Sequence, residues 1–106
     1  FFAAADRVFG ELSLKLKNQQ GAILVMDAMT LMDAGGLSAF TKLVSLAEKQ
    51  GTHLLVTDLT FQPLKTLAKA KVQPLPGILS FYSTLADALN SLPGQNIDPQ
   101  GEAVGL

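Results

Sequence analysis

The chain reads as an α/β domain with a small, mostly parallel sheet and about four helices. Two observations predict it. Short apolar runs, Ala22-Ile23-Leu24-Val25-Met26 and His53-Leu54-Leu55-Val56-Thr57, each run into an Asp, as buried strands do where they meet a turn. Around them, apolar residues recur at helical spacing. Strands alternating with helices imply parallel pairs joined by right-handed crossovers. A chain of 106 residues, 48% of them hydrophobic, is enough for one core and one domain.

The elements follow in order. From Ala3 to Lys17, Ala5, Val8, Phe9, Leu12 and Leu16 mark a first helix, which Asn18-Gln19-Gln20-Gly21 ends. Ala22 to Asp27 is apolar until its last residue, the pattern of a strand buried on both faces. Leu37, Phe40, Leu43, Val44 and Ala47 mark a second helix, and Gln50-Gly51 closes it. After the second strand, Thr60 is placed to cap a third helix with Pro63 in its first turn. Its expected inner stripe is Leu64, Leu67 and Ala68. Gln73 to Gly77 is a rigid connector, and Ile78 to Tyr82 a short strand. Ser83 or Thr84 caps a last helix with Leu85, Ala88, Leu89 and Leu92 on one side.

Three strands make a narrow sheet. The expectation is that a strand or two precede Phe1, the more so as the chain begins with Phe rather than Met. The domain is expected over 1–92. From Pro93 to Leu106 periodicity vanishes and Pro, Gly, Gln and Asn accumulate, which predicts a flexible tail.

Composition narrows the function. A net charge of −1 gives no electrostatic case for nucleic acid. With no cysteine there is neither a disulfide framework nor a thiolate metal site, which suits a reducing compartment. No apolar run approaches the ~20 residues that span a bilayer. Phe1-Phe2-Ala3-Ala4-Ala5 lacks the basic start of a signal peptide.

The candidate site is Met32-Asp33-Ala34-Gly35-Gly36-Leu37, a turn between a buried strand and a helix. Two glycines at a helix start leave backbone N–H groups reachable by an anion or a close partner. Asp33 is placed to cap the same groups. The segment holds no hydroxyl, thiol or imidazole, so no catalytic residue is assigned to it. Met29, Leu31 and Met32 are either core filling or an adaptable contact surface.

Other candidates carry less. Asp27, Asp33 and Asp58 end predicted parallel strands or follow them, at the edge where open α/β sheets bind ligands. They could hold a hard cation. With no Lys or Ser/Thr placed to complete a site, capping is the better reading and no metal or cofactor is expected. His53, the one histidine, is read as structural. Lys65, Lys69 and Lys71, with Lys42 and Lys49, form a solvated face or, more sharply, a docking face for an acidic protein or anionic lipid headgroups. Phe40, Phe61 and Phe81 are assigned to the core or its edge.

With the strand–turn–helix in place, the chain resembles a STAS domain, shared by anti-sigma factor antagonists and the cytosolic tails of SulP anion transporters. Met32 to Leu37 looks like the family's Asp-x-x-Gly-Leu loop. Phe1-Phe2-Ala3-Ala4-Ala5 is similar to the segment that enters the first helix in the transporter branch, and Phe61-Gln62-Pro63-Leu64 and Pro74-Leu75-Pro76-Gly77 also look like bacterial SulP sequences. The order of elements through Leu92 agrees. In the antagonists the residue before the family's glycine is a phosphorylated serine; here that position is Gly35, preceded by Ala34, so no phosphoacceptor stands there. The resemblance therefore implies the transporter branch: a non-catalytic regulatory domain on the cytoplasmic face of the inner membrane. Its implied partners are its own transmembrane domain, a cytosolic protein and, through the parent transporter, a second copy. The alternatives are a free-standing antagonist-like protein or a weak nucleotide- or anion-binding module.

Overall fold

A computed structural model describes residues 18–92, with Leu12, Leu14 and Leu16 before them and the backbone of 96–97 and 103–104 after them. The elements are β1 (Gly21–Val25), α1 (Ala34–Gln50), β2 (His53–Thr57), α2 (Phe61–Lys69), β3 (Leu79–Tyr82) and α3 (Leu85–Ser91). The sheet order is β1-β2-β3, and both pairings are parallel. This is the predicted α/β architecture. The first predicted helix lies outside the described residues, apart from Leu12, Leu14 and Leu16. There the Leu16 N–H donates to the Leu12 carbonyl at 3.1 Å, and Leu16 is buried.

Both crossovers step the same way across the sheet, so right-handed connections put α1 and α2 on one face. The register agrees. Ala22, Leu54 and Leu79 form one row and Leu24, Val56 and Phe81 the next. These rows meet Phe40, Leu43 and Ala47 of α1 and Leu67 of α2 in one core, with Met26, Met29 and Met32 at its end. Leu55 and Ala88 are buried outside that core, and α3 touches all three strands, so α3 covers the opposite face. Each large apolar side chain so buried contributes about 1.5–3 kcal/mol.

Three expectations shift. The strand buried on both faces is β2, of which only His53 is not fully buried; in β1 only Leu24 is. The reason is position: β2 is central, whereas β1 is at an edge among the described strands. In α2 the inner residues are Pro63 and Leu67, while Leu64 and Ala68 face solvent. Proline, read in sequence as a helix-start signal, is here a core residue; in the first turn its missing N–H costs nothing. In α3 only Ala88 is fully buried, and Leu85 is exposed.

The ends are built locally. Gly51 closes α1 at φ 70°, and the Thr52 N–H reaches back to the Ala47 carbonyl at 2.9 Å. Asp87 N–H donates to Thr84 Oγ1 at 3.1 Å, so Thr84 is the cap of α3. Within the predicted tail, Asn96–Ile97 pairs antiparallel with Ala103–Val104; its remaining residues lie outside those described.

Buried Thr52 ties the chain ahead of β1 to the start of β2. Its hydroxyl donates to the Gln19 carbonyl at 2.7 Å, with the Leu16 carbonyl at 3.3 Å, and the His53 N–H donates to the Gln20 carbonyl at 2.9 Å. Thr52→Val keeps the shape and removes the donor. It is expected to lower unfolding stability by about 1–2 kcal/mol. An unchanged urea midpoint would show that the hydroxyl contributes nothing.

Candidate partner-contact loop

Between β1 and α1 the chain passes from Met26 to Asp33 without regular structure, and its backbone groups must find partners. The Met26 N–H donates to the Thr57 carbonyl at 2.9 Å, extending the β1–β2 ladder by one bond. The Met29 N–H returns to the Met26 carbonyl at 3.1 Å. The remaining bonds come from α2. Thr60 donates its hydroxyl to the Met29 carbonyl at 2.8 Å. Gln62 pairs with both sides of Met32: Oε1 accepts from the Met32 N–H at 2.7 Å, and Nε2 donates to the Met32 carbonyl at 3.2 Å. Gln62 Nε2 also donates to Thr66 Oγ1 at 3.0 Å, and the Thr66 hydroxyl faces the Met32 carbonyl at 3.4 Å.

Gln62 therefore treats Met32 as a neighbouring strand would, thirty residues away in sequence. Thr60 departs from its predicted role: it is the N-cap residue of α2 but makes no side-chain capping bond, because its hydroxyl is committed to the loop. Nothing in local spacing announces these contacts. Three polar residues, Thr60 at the N-cap and Gln62 and Thr66 among the apolar and basic residues of α2, are the only sequence signal.

The helix start is also more occupied than the sequence suggests. α1 begins at Ala34, with Asp33 as N-cap, so both glycines lie in its first turn. Asp33 Oδ1 accepts from the Gly36 N–H at 2.7 Å, and the Leu37 N–H donates to the Asp33 carbonyl at 2.9 Å. Gly36 is buried. An incoming anion would meet a carboxylate already seated on the N–H group it needs, which weighs against the anion-ready reading. Gly35 is exposed, and a Cβ there would meet only Asp33 Oδ1, at 3.5 Å. The position would accept a side chain; in this chain it carries no hydroxyl.

Met32 and Met29 are core residues, not surface; Met32 is 1% exposed. Met32 precedes the cap and Leu37 lies four positions after it, the pattern of a hydrophobic staple. Leu31, by contrast, is 72% exposed. The surface presented here is thus Leu31, Asp33, Ala34 and Gly35, with Leu37 half-buried behind them.

The other candidates fall elsewhere. Asp27 is exposed. Asp58 ends β2 in a left-handed conformation at φ 58°, which a short polar side chain tolerates, and its Oδ2 is buried without a hydrogen-bond partner. Among the described residues no three His, Cys, Asp or Glu come together as a metal site. His53 Nε2 lies 2.7 Å from Ser80 Oγ on the neighbouring strand, a structural contact. Lys65 and Lys69 are exposed one turn apart on α2, but Lys71 lies past the helix end at φ 59°, so helical spacing does not place it with them. Phe40 is buried and Phe81 packs on the core, whereas Phe61 is 78% exposed, contrary to its assignment.

Gln62→Leu leaves the Met32 N–H and carbonyl without their partner. The expected cost is about 1–3 kcal/mol, with Met32 amide exchange accelerated more than that of β2. Unaltered exchange at Met32 would mean that Gln62 does not hold the loop.

A model of the STAS domain family matches residues 1–88. Among curated proteins none matches the chain. The matched span carries the parallel sheet, the Asp33-capped helix and the loop that Gln62 holds, and it takes in 88 of 106 residues: the chain belongs to the STAS domain family.

Proposed function

We propose that this domain is the regulatory and interaction module of a SulP-type secondary anion transporter. Family membership supports a non-catalytic regulatory or antagonist-like role. What favours the transporter branch is Gly35: an exposed position at the start of α1 that has room for a side chain yet bears no phosphoacceptor. The acidic side chain at this helix start is Asp33, which caps the Gly36 N–H. A covalent switch at Gly35 is thereby removed, and the loop acts as a contact surface whose state follows its partners.

In this reading the partners are the transporter's own membrane domain, at the cytoplasmic face of the inner membrane, and a cytosolic protein; two copies are brought together by the parent transporter. Sulfate, bicarbonate or a dicarboxylate would be carried by the membrane domain. Among the described residues no helix is long and apolar enough to cross a membrane, so this part contributes no helical span. The sequence encoded upstream of Phe1 in the parent gene tests the reading. A multi-span apolar region is expected, and its absence would remove the transporter.

Ser38 and Thr41 favour a second reading, a free-standing antagonist-like protein. Both are exposed on the first turns of α1, and the Thr41 hydroxyl donates to the Ser38 carbonyl at 2.9 Å. Incubation with a cognate kinase and ATP separates the two. The transporter reading expects no phosphate on this helix; incorporation at Ser38 or Thr41 would establish the rival.

A further inference from the structure

The outward side of α2 is apolar and basic where a solvated helix would be mixed in charge. Phe61 is 78% exposed on the side away from buried Pro63 and Leu67, and Leu64 is 51% exposed on the flank between them. Lys65 lies over the Phe61 ring, with Nζ 5.9 Å from its centroid, and Lys69 follows one turn later. Lys71 adds a third exposed charge just past the helix. No acidic residue occurs between Leu59 and Ala86, although the whole chain has a net charge of −1. The α2 segment is thus a local concentration of positive charge around two protruding apolar side chains.

We propose that this ridge docks on an anionic lipid surface, with Phe61 and Leu64 entering the headgroup–acyl boundary and Lys65 and Lys69 contacting lipid phosphates. Charge complementarity selects the occupant. Lysines beside a protruding aromatic residue are the residue set of interfacial helices that bind anionic lipids. The outward side of a helix is convex, which suits insertion into a plane, whereas an amphipathic partner helix needs a groove. The cation–π contact keeps the Lys65 ammonium beside the ring, so that inserting Phe61 delivers the charge to headgroup level. Because the fixed side of α2 holds Met32 through Gln62, docking would present the α1 loop at a set height above the membrane.

This proposal accords with a membrane-attached parent but is measured on the chain alone, so its failure would leave the transporter reading to the upstream-sequence test. The experiment is co-sedimentation with vesicles of phosphatidylglycerol and phosphatidylcholine, against phosphatidylcholine alone. Binding is expected only to the anionic vesicles, weakening as salt is raised. Each lysine should contribute about fivefold to the partition coefficient, so Lys65→Glu with Lys69→Glu should lower it by more than about tenfold. Phe61→Ser should lower it by roughly tenfold. All these side chains are exposed, and an unchanged unfolding midpoint confirms that the variants fold. Lys42→Glu with Lys49→Glu, on α1, should bind nearly as the parent chain does. Equal binding to both vesicle types, undiminished binding by the α2 variants, or an equal loss from the α1 pair would overturn the proposal. Absence of any vesicle binding would also overturn it and leave the ridge to a protein partner.

Discussion

Burial of β2 is the constraint on which the rest of the domain depends. The strand is paired on both sides, and Leu54 and Val56 face the core under α1 and α2 while Leu55 and Thr57 face the side of α3. A strand this uniformly apolar specifies its own register poorly, because a one-residue slip exchanges one apolar face for another. Register is instead held at the ends. His53 is fixed by Gln20 and Ser80, Leu54 by the Ile78 carbonyl, and Thr57 by the Met26 N–H. The contacts that depend on residue identity lie at the amino end of the strand, where His53 Nε2 meets Ser80 Oγ and the Thr52 hydroxyl reaches the Gln19 carbonyl.

That placement leaves a problem at the carboxyl edge of the sheet. A connection running beside a buried core cannot leave its peptide groups unpaired. The loop before α1 solves this with side chains from α2. Thr60 gives up a capping bond to serve Met29, and Gln62 supplies a donor and an acceptor to one residue. An amide side chain can do this because its carbonyl acceptor and an NH₂ donor sit side by side on one carbon and face the same way. Burial of Met29 and Met32 and pairing of their backbone are two parts of one arrangement, and neither would be stable without the other.

What was legible in the sequence was what repeats. Continuous apolar runs and period-3.6 patterns are properties of neighbours along the chain, so the order of strands and helices through α3 could be read from them, as could the caps at Asp33, Gly51 and Thr84. The inner stripe of α2 differs from the expected one because Pro63, a helix-start signal in sequence, is also an apolar side chain and takes the buried place expected of Leu64. Met32 had a readable signal, its staple position against Leu37, which competed with the expectation that a glycine loop presents its flanking residues. Exposed Phe61 could not be recognised from composition, since an aromatic residue at a helix start fits the core as well as the surface. Gln62 had no local signature at all: a bond across thirty residues exists only after the fold has brought β1 and α2 together.

The same bond changes what a missing phosphoacceptor means. At the start of α1 a phosphate would act on the helix dipole and on whatever touches the loop. Here the Asp33 side chain lies at that helix end and closes on the Gly36 N–H. Gly35 carries no hydroxyl to receive such a charge, whereas the position of the loop is held by side-chain contacts. Position is governed by α2, because Thr60, Gln62 and Thr66 all reach across to it. The outward side of α2 and the loop surface are thus tied together through these hydrogen bonds. Whatever orients that helix orients the surface formed by Leu31, Asp33, Ala34 and Gly35.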